Sequence, residues 1–136
     1  MDKTVPVRRL IDGWAKLDLD YLLGQFAEDA IFENIPMEPI VGKPAIRAAL
    51  KAFLDLCEAA PWTLINIAVS EQGNVLTERD DVFHLRDGRR VNCPVMGVFE
   101  VNDQGLITHW RDYFDLADWN RGLKLEADFG RRNRPQ

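Results

Sequence analysis

The apolar positions change period along this chain, and the main change, near Trp62, divides it in two. In the first part they recur mostly every three to four residues. Val7, Leu10, Ile11 and Trp14 mark one side of a helix, and Asp20 to Phe26 is predicted to form a second, short one. Ala30 to Ile35 alternates as a strand does, ahead of the loop Pro36-Met37-Glu38-Pro39. Pro44 stands where a helix begins, and Ile46, Ala49, Leu50, Phe53, Leu54 and Cys57 form an apolar stripe that Pro61 ends. From Trp62 onward the period falls to two. Strands are predicted over Trp62–Ser70, Val75–Leu85, Arg90–Val101 and Leu106–Asp115, separated by Gly, Asn or Asp turns, with a final helix over about Ala117 to Leu123. Pro94 and Gly97 are candidate markers of a bulge in the third of these strands.

Helices first and strands afterwards imply an α+β fold. The expected form is a curved, mixed, largely antiparallel sheet wrapped around helices, with a deep apolar pocket between the layers. The chain of 136 residues is read as one domain, 1–136, with 124–136 a flexible polar tail.

Composition narrows the functions available. Hydrophobic residues make up 46% and charged residues 29%, enough for a core and a solvated surface. The 17 basic and 22 acidic side chains leave a net charge of −5, the wrong sign for a nucleic-acid surface. The one basic cluster, Arg131, Arg132 and Arg134, reads as solvated tail. Neither a signal peptide nor a membrane span is expected, and the chain is read as cytoplasmic, with Cys57 and Cys93 as free buried thiols. No His, Cys and carboxylate spacing suggests a metal, and the isolated glycines form no phosphate-binding loop. Ser70, the one serine, has no nucleophile elbow around it.

The strand parity places charge where it is costly. On Val75–Leu85 one face carries Thr77, Arg79, Asp81, Phe83 and Leu85, and on Leu106–Asp115 one face carries Trp110, Asp112 and Phe114. A strand Arg-x-Asp is commonly a surface ion pair. The aromatic neighbours of Asp112 argue for an interior one, with Arg79 bridging Asp81 and Asp112. Two carboxylates sharing one guanidinium in an apolar setting tend to retain one proton between them. Such a pair can give a proton and take one in the same step. His84 and His109 fall on the opposite faces and read as exposed or structural.

These residues carry a resemblance. Pro94-Val95-Met96-Gly97-Val98-Phe99-Glu100-Val101, then Trp110-Arg111-Asp112-Tyr113-Phe114-Asp115, together with Thr77-Glu78-Arg79-Asp80-Asp81, closely resemble the limonene-1,2-epoxide hydrolase family. The cone-shaped, cystatin-like α+β fold it implies is shared with ketosteroid isomerases and polyketide cyclases. The resemblance implies one-step hydrolysis of a small lipophilic, terpene-like or cyclic epoxide to a vicinal diol, with no cofactor and no metal. Asp112 is then the general base toward water, Asp81 the general acid, and Arg79 the group that orients both. It also implies a homodimer formed through the outer sheet face, with Tyr113 and Met96 as candidates, and no nucleic-acid or membrane partner.

The family places a tyrosine and an asparagine two apart on its first strand, where they hold the water. Here Asn34 is present, although it could also be a polar turn residue before Pro36, and Phe32 stands at the tyrosine position. The pocket wall is expected from Trp14, Phe32, Phe53, Leu54, Phe83, Trp110 and Phe114. Two rivals remain at this stage. One is an isomerase or polyketide-cyclase-type enzyme on the same fold. The other is a non-catalytic small-ligand-binding or dimerisation module.

Overall fold

The computed structural model describes residues 1–123. The tail expected over 124–136, with Arg131, Arg132 and Arg134, lies outside the described residues.

The chain opens with α1 (Thr4–Lys16), whose Val7, Leu10 and Trp14 are buried as their spacing requires. Helix α1 stops at Leu17, in the left-handed region at φ 52°, where the Leu17 and Asp18 amides take up the orphan carbonyls of Trp14 and Gly13. Asp18 then caps α2 (Leu19–Leu23), its carboxylate accepting from the Tyr21 amide at 3.0 Å. This helix ends earlier than expected. Phe26 already belongs to β1 (Phe26–Ile35), which therefore starts four residues before the predicted Ala30. A bulge between Phe26 and Ile31 breaks the alternation there and hides the strand from a period-two reading.

After a cis Ile35–Pro36 bond comes a two-residue strand, β2 (Ile40–Val41), which the sequence pattern did not reveal. Helix α3 (Lys43–Leu54) follows, with Pro44 in its first turn. It ends at Leu54 rather than at Pro61. Cys57, expected on the helical stripe, lies instead in β3 (Cys57–Ala59), opposite Leu85. A buried apolar residue three positions past Leu54 suits either element, so only the pairing with Leu85 distinguishes them. The remaining elements are β4 (Thr63–Val69), β5 (Val75–Leu85), β6 (Arg90–Val101), β7 (Ile107–Tyr113) and α4 (Leu116–Leu123).

Among the described residues seven strands form one sheet in the order β2-β1-β7-β6-β5-β3, with β4 also paired to β5. All pairings are antiparallel except β1 with β7. The β5–β6 register runs unbroken from Val75 opposite Phe99 to His84 opposite Arg90. Pro94 and Gly97 therefore mark no bulge; the irregularity in β6 lies between Glu100 and Val101, against β7. The helices cover one sheet face. Val7, Leu10, Trp14, Leu22, Ile46 and Leu50 pack there against Phe26, Phe83, Phe99 and Trp110.

Candidate active site

Arg79, Asp81 and Asp112 are buried on the helix-covered face of the sheet. Arg79 and Asp81 are on β5 and Asp112 is on β7, and these two strands are not neighbours. β6 lies between β5 and β7, and Arg79 reaches over it at Gly97, which pairs with Thr77 on one side and Asp112 on the other. A Cβ at Gly97 would sit 2.5 Å from both Arg79 Nη1 and Asp112 Oδ1. The crossing thus depends on a residue with no side chain, and strand parity alone gave no signal of it.

The guanidinium divides its donors unequally. Nε donates to Asp81 Oδ1 at 3.0 Å, and Nη2 donates both to Asp81 Oδ2 and to Asp112 Oδ2, each at 2.8 Å. Nη1 donates to Thr77 Oγ1 at 3.0 Å. Asp112 makes up the difference through Trp110, whose Nε1–H donates to Asp112 Oδ1 at 2.7 Å. Each carboxylate therefore accepts two charge-assisted or indole hydrogen bonds. The sequence had offered Trp110 only as pocket wall; its i, i+2 spacing from Asp112 on one strand face was the available signal. Rings surround the cation as well: Arg79 Cζ lies 5.1 Å from the Trp62 ring, 5.8 Å from Phe99 and 5.9 Å from Trp110.

Burial shapes the charges. It disfavours the Arg79 cation, but the carboxylates of Asp112 and Asp81 more than reverse this and hold it protonated. Burial lifts the Asp81 carboxyl to about 7, against the pull of Arg79, and the Asp112 charge adds to the rise. Asp81 therefore holds a proton over part of the time at neutral pH. Cys93, directly across from Asp81 on β6, is pushed up to about 12 by burial, with the charges of Asp81 and Asp112 adding to the effect. Its thiol stays protonated, which makes it wall rather than nucleophile.

A cavity of about 200 Å³ opens onto Asp81 and Asp112. Trp14, Phe32, Phe53, Phe83, Trp110 and Phe114 line it, as does Asn34. Leu54 does not. It is a buried core residue, and Leu50, one turn earlier on α3, faces the cavity instead. Trp62 and Trp119 also contribute to the wall. Trp62 stacks on Trp14 at 4.8 Å, and Trp119 brings α4 against Phe53 and Phe83. Asn34 lies in register with Asp112 on the parallel β1–β7 pair, and Phe32 stacks on Trp110 at 4.2 Å. His109 sits on the outer face, paired with Glu33 and, at 3.6 Å, with Glu100. Among the described residues no three His, Cys, Asp or Glu side chains are grouped as metal ligands.

Two buried carboxyls bridged by one arginine beside an apolar cavity define a class of site, and comparison with known proteins identifies the family. Residues 2–124 match the limonene-1,2-epoxide hydrolase catalytic domain family, and the chain belongs to that family. Epoxide hydrolase EphG of Mycobacterium tuberculosis is 34% identical over 106 residues, covering 78% of this chain and 68% of its own. The structure of an M. tuberculosis LEH-like epoxide hydrolase superposes with a TM-score of 0.76 at 31% identity, over 90% of this chain and 84% of that one. A Catenulispora acidiphila protein with a ketosteroid isomerase-like fold gives a TM-score of 0.76 at 18% identity, covering 90% and 95% of the two chains. The fold is ketosteroid isomerase-like.

Proposed function

We propose that this protein opens a small lipophilic epoxide, terpene-like or cyclic, with water to give a vicinal diol, without a cofactor. The observation that carries this reading is the single Arg79 Nη2 shared by Asp81 and Asp112 at the floor of an apolar cavity. Asp112 takes a proton from water while the water oxygen bonds to an epoxide carbon. The carbon–oxygen bond of the ring breaks, and the leaving oxygen takes a proton from Asp81. Asp112 ends protonated and Asp81 ionised, so one proton passed between them, directly or through water, resets the site. Arg79 stays charged throughout and keeps the two carboxyls at fixed positions. Asn34, beside Asp112 on the cavity wall, is the second contact for the water.

Each proton transfer contributes about 10²–10⁴ in rate, with positioning of the water adding to it. The walls favour a substrate without charge, because an ion there would lose its hydration without a partner. We further propose that the chain acts in the cytoplasm as one domain and as a homodimer through the outer sheet face. The exposed Met96 and Tyr113, in register on β6 and β7, support the dimer, as does Leu76 opposite Val98. No helix among the described residues is long and apolar enough to cross a membrane.

The test is a panel of terpene, cyclic and linear epoxides assayed for diol, with one ketosteroid as control. Diol from at least one epoxide and no isomerised steroid is the expected result. Steroid isomerisation with no diol would replace this reading by the isomerase one. Sedimentation of wild type and Met96→Glu at matched concentration tests the dimer: a monomeric wild type refutes it.

A further inference from the structure

The guanidinium of Arg79 has five N–H donors, and the carboxylates use those on Nε and Nη2. Nη1 remains, and Thr77 Oγ1 accepts from it at 3.0 Å. That hydroxyl lies 3.3 Å from the Gly97 carbonyl, to which it gives its own proton. Because arginine cannot accept, the direction of both bonds is forced, and the Thr77 lone pair faces Nη1. Thr77 is 1% exposed, and neither it nor Gly97 lines the cavity. Gly97 supplies the second constraint. Its missing Cβ leaves the space in which Nη1 and Asp112 Oδ1 lie, and the same Cβ would come within 3.1 Å of Thr77 Oγ1.

We propose that Thr77 and Gly97 are positioning residues for the carboxylate pair, setting the tilt of the Arg79 guanidinium that divides its donors between Asp81 and Asp112. The fork is planar, so its orientation is a single variable. With Nη1 anchored on Thr77, Nη2 falls between the two carboxylates and Nε completes the bidentate grip on Asp81. Release of Nη1 lets the plane rotate and breaks the bidentate grip of Nε and Nη2 on Asp81. The two carboxyls then lose the asymmetry that separates an acid from a base. The kinetic part of this inference rests on the epoxide-hydrolase reading; the geometric part does not.

The experiment compares wild type with Thr77→Val, Thr77→Ser and Gly97→Ala by two measurements. One is epoxide kinetics from about pH 5 to about pH 9, a range chosen to span the Asp81 titration at about 7. The other is carbon-13 NMR titration of the Asp81 carboxyl, which needs no turnover. Thr77→Val keeps the shape and removes the acceptor, and lowers kcat about tenfold with KM within about twofold of wild type. Its Asp81 midpoint moves upward, because the ionised form loses guanidinium contact while burial persists. Thr77→Ser restores both quantities. Gly97→Ala, if it folds, loses about a hundredfold in kcat. A Thr77→Val protein with wild-type kcat and Asp81 midpoint, altered only in melting temperature, overturns the proposal. If wild type opens no epoxide, the hydrolase reading fails on its own, and an unmoved Asp81 midpoint in Thr77→Val still overturns this one.

Discussion

Asp112→Asn removes one oxygen from a site where two donors need two. In the native protein Trp110 Nε1 donates to Oδ1 and Arg79 Nη2 donates to Oδ2. The amide offers one oxygen, so whichever way it turns, either an indole or a guanidinium N–H faces an NH₂ group. Both donors are buried, and an unsatisfied one costs about 1–3 kcal/mol. Relief from burying one carboxylate offsets part of this. For a chain of this size the melting temperature falls by a few degrees to about ten degrees, and the protein stays folded. The rate suffers more: with Asp112 as the proposed base, its loss lowers kcat at least about a hundredfold. Burial is the main cause of the raised Asp81 carboxyl and the Asp112 charge adds to it, so in this variant Asp81 titrates below its native value of about 7. Diol formation, thermal melting and carbon-13 titration of Asp81 read the three effects separately. A folded variant that keeps more than about a tenth of the wild-type rate would show that Asp112 is not the base. An Asp81 midpoint that rises instead would refute the electrostatic coupling between the carboxylates.

Four further outcomes follow from the same geometry. With Asp81 as acid, kcat declines as pH rises through about 7, and a pH–rate profile still climbing at pH 8 would contradict that role. The linked stability has a definite sign. The folded carboxyl titrates at about 7 against an ordinary aspartate value of 3.8, so its contribution is full below about 3.8 and is lost as pH rises through about 7. Asp81→Asn has no such loss, and the difference in melting temperature, variant minus wild type, becomes more positive between about pH 4 and pH 7; scanning calorimetry at several pH values showing the reverse trend would refute it. In a single turnover in ¹⁸O-labelled water the label enters the diol and neither Asp81 nor Asp112. Labelled aspartate, found by peptide mass spectrometry, would require a covalent ester. Phe32→Tyr adds a hydroxyl on the wall beside Asn34, and a net hydrogen bond to the water of about 0.5–1.5 kcal/mol raises kcat by about threefold to tenfold. A fall in both kcat and melting temperature would mark Phe32 as packing for Trp110 and nothing more.

Much of this protein is legible from its sequence because the relevant information is periodic and local. Two-residue alternation places Thr77, Arg79, Asp81 and Phe83 on one face of β5, and Trp110 with Asp112 on one face of β7. It sends His84 and His109 to the other side, and those positions are what the folded chain shows. The strands β5 and β6 have the expected bounds, since long alternating runs between Gly, Asn and Asp turns admit few other assignments.

What the pattern could not supply depends on contact between distant segments. The bulge that lengthens β1, the short β2, and the passage of Cys57 from a helical stripe into β3 are settled by pairing partners far along the chain. The exchange of Leu54 for Leu50 on the cavity wall reflects the rotation of α3 against the sheet, a matter of packing rather than of period. Gly97 is the clearest case. Sequence alone marks two strands that each present a charged residue to the interior. Only the strand order β7-β6-β5 places a third strand between them and requires that strand to carry no side chain where Arg79 crosses to Asp112. A residue's own face is set by backbone geometry within a few positions. What lies across from it is set by the register of the whole sheet, where the energy of bringing the Arg79 cation to two buried carboxylates is decided.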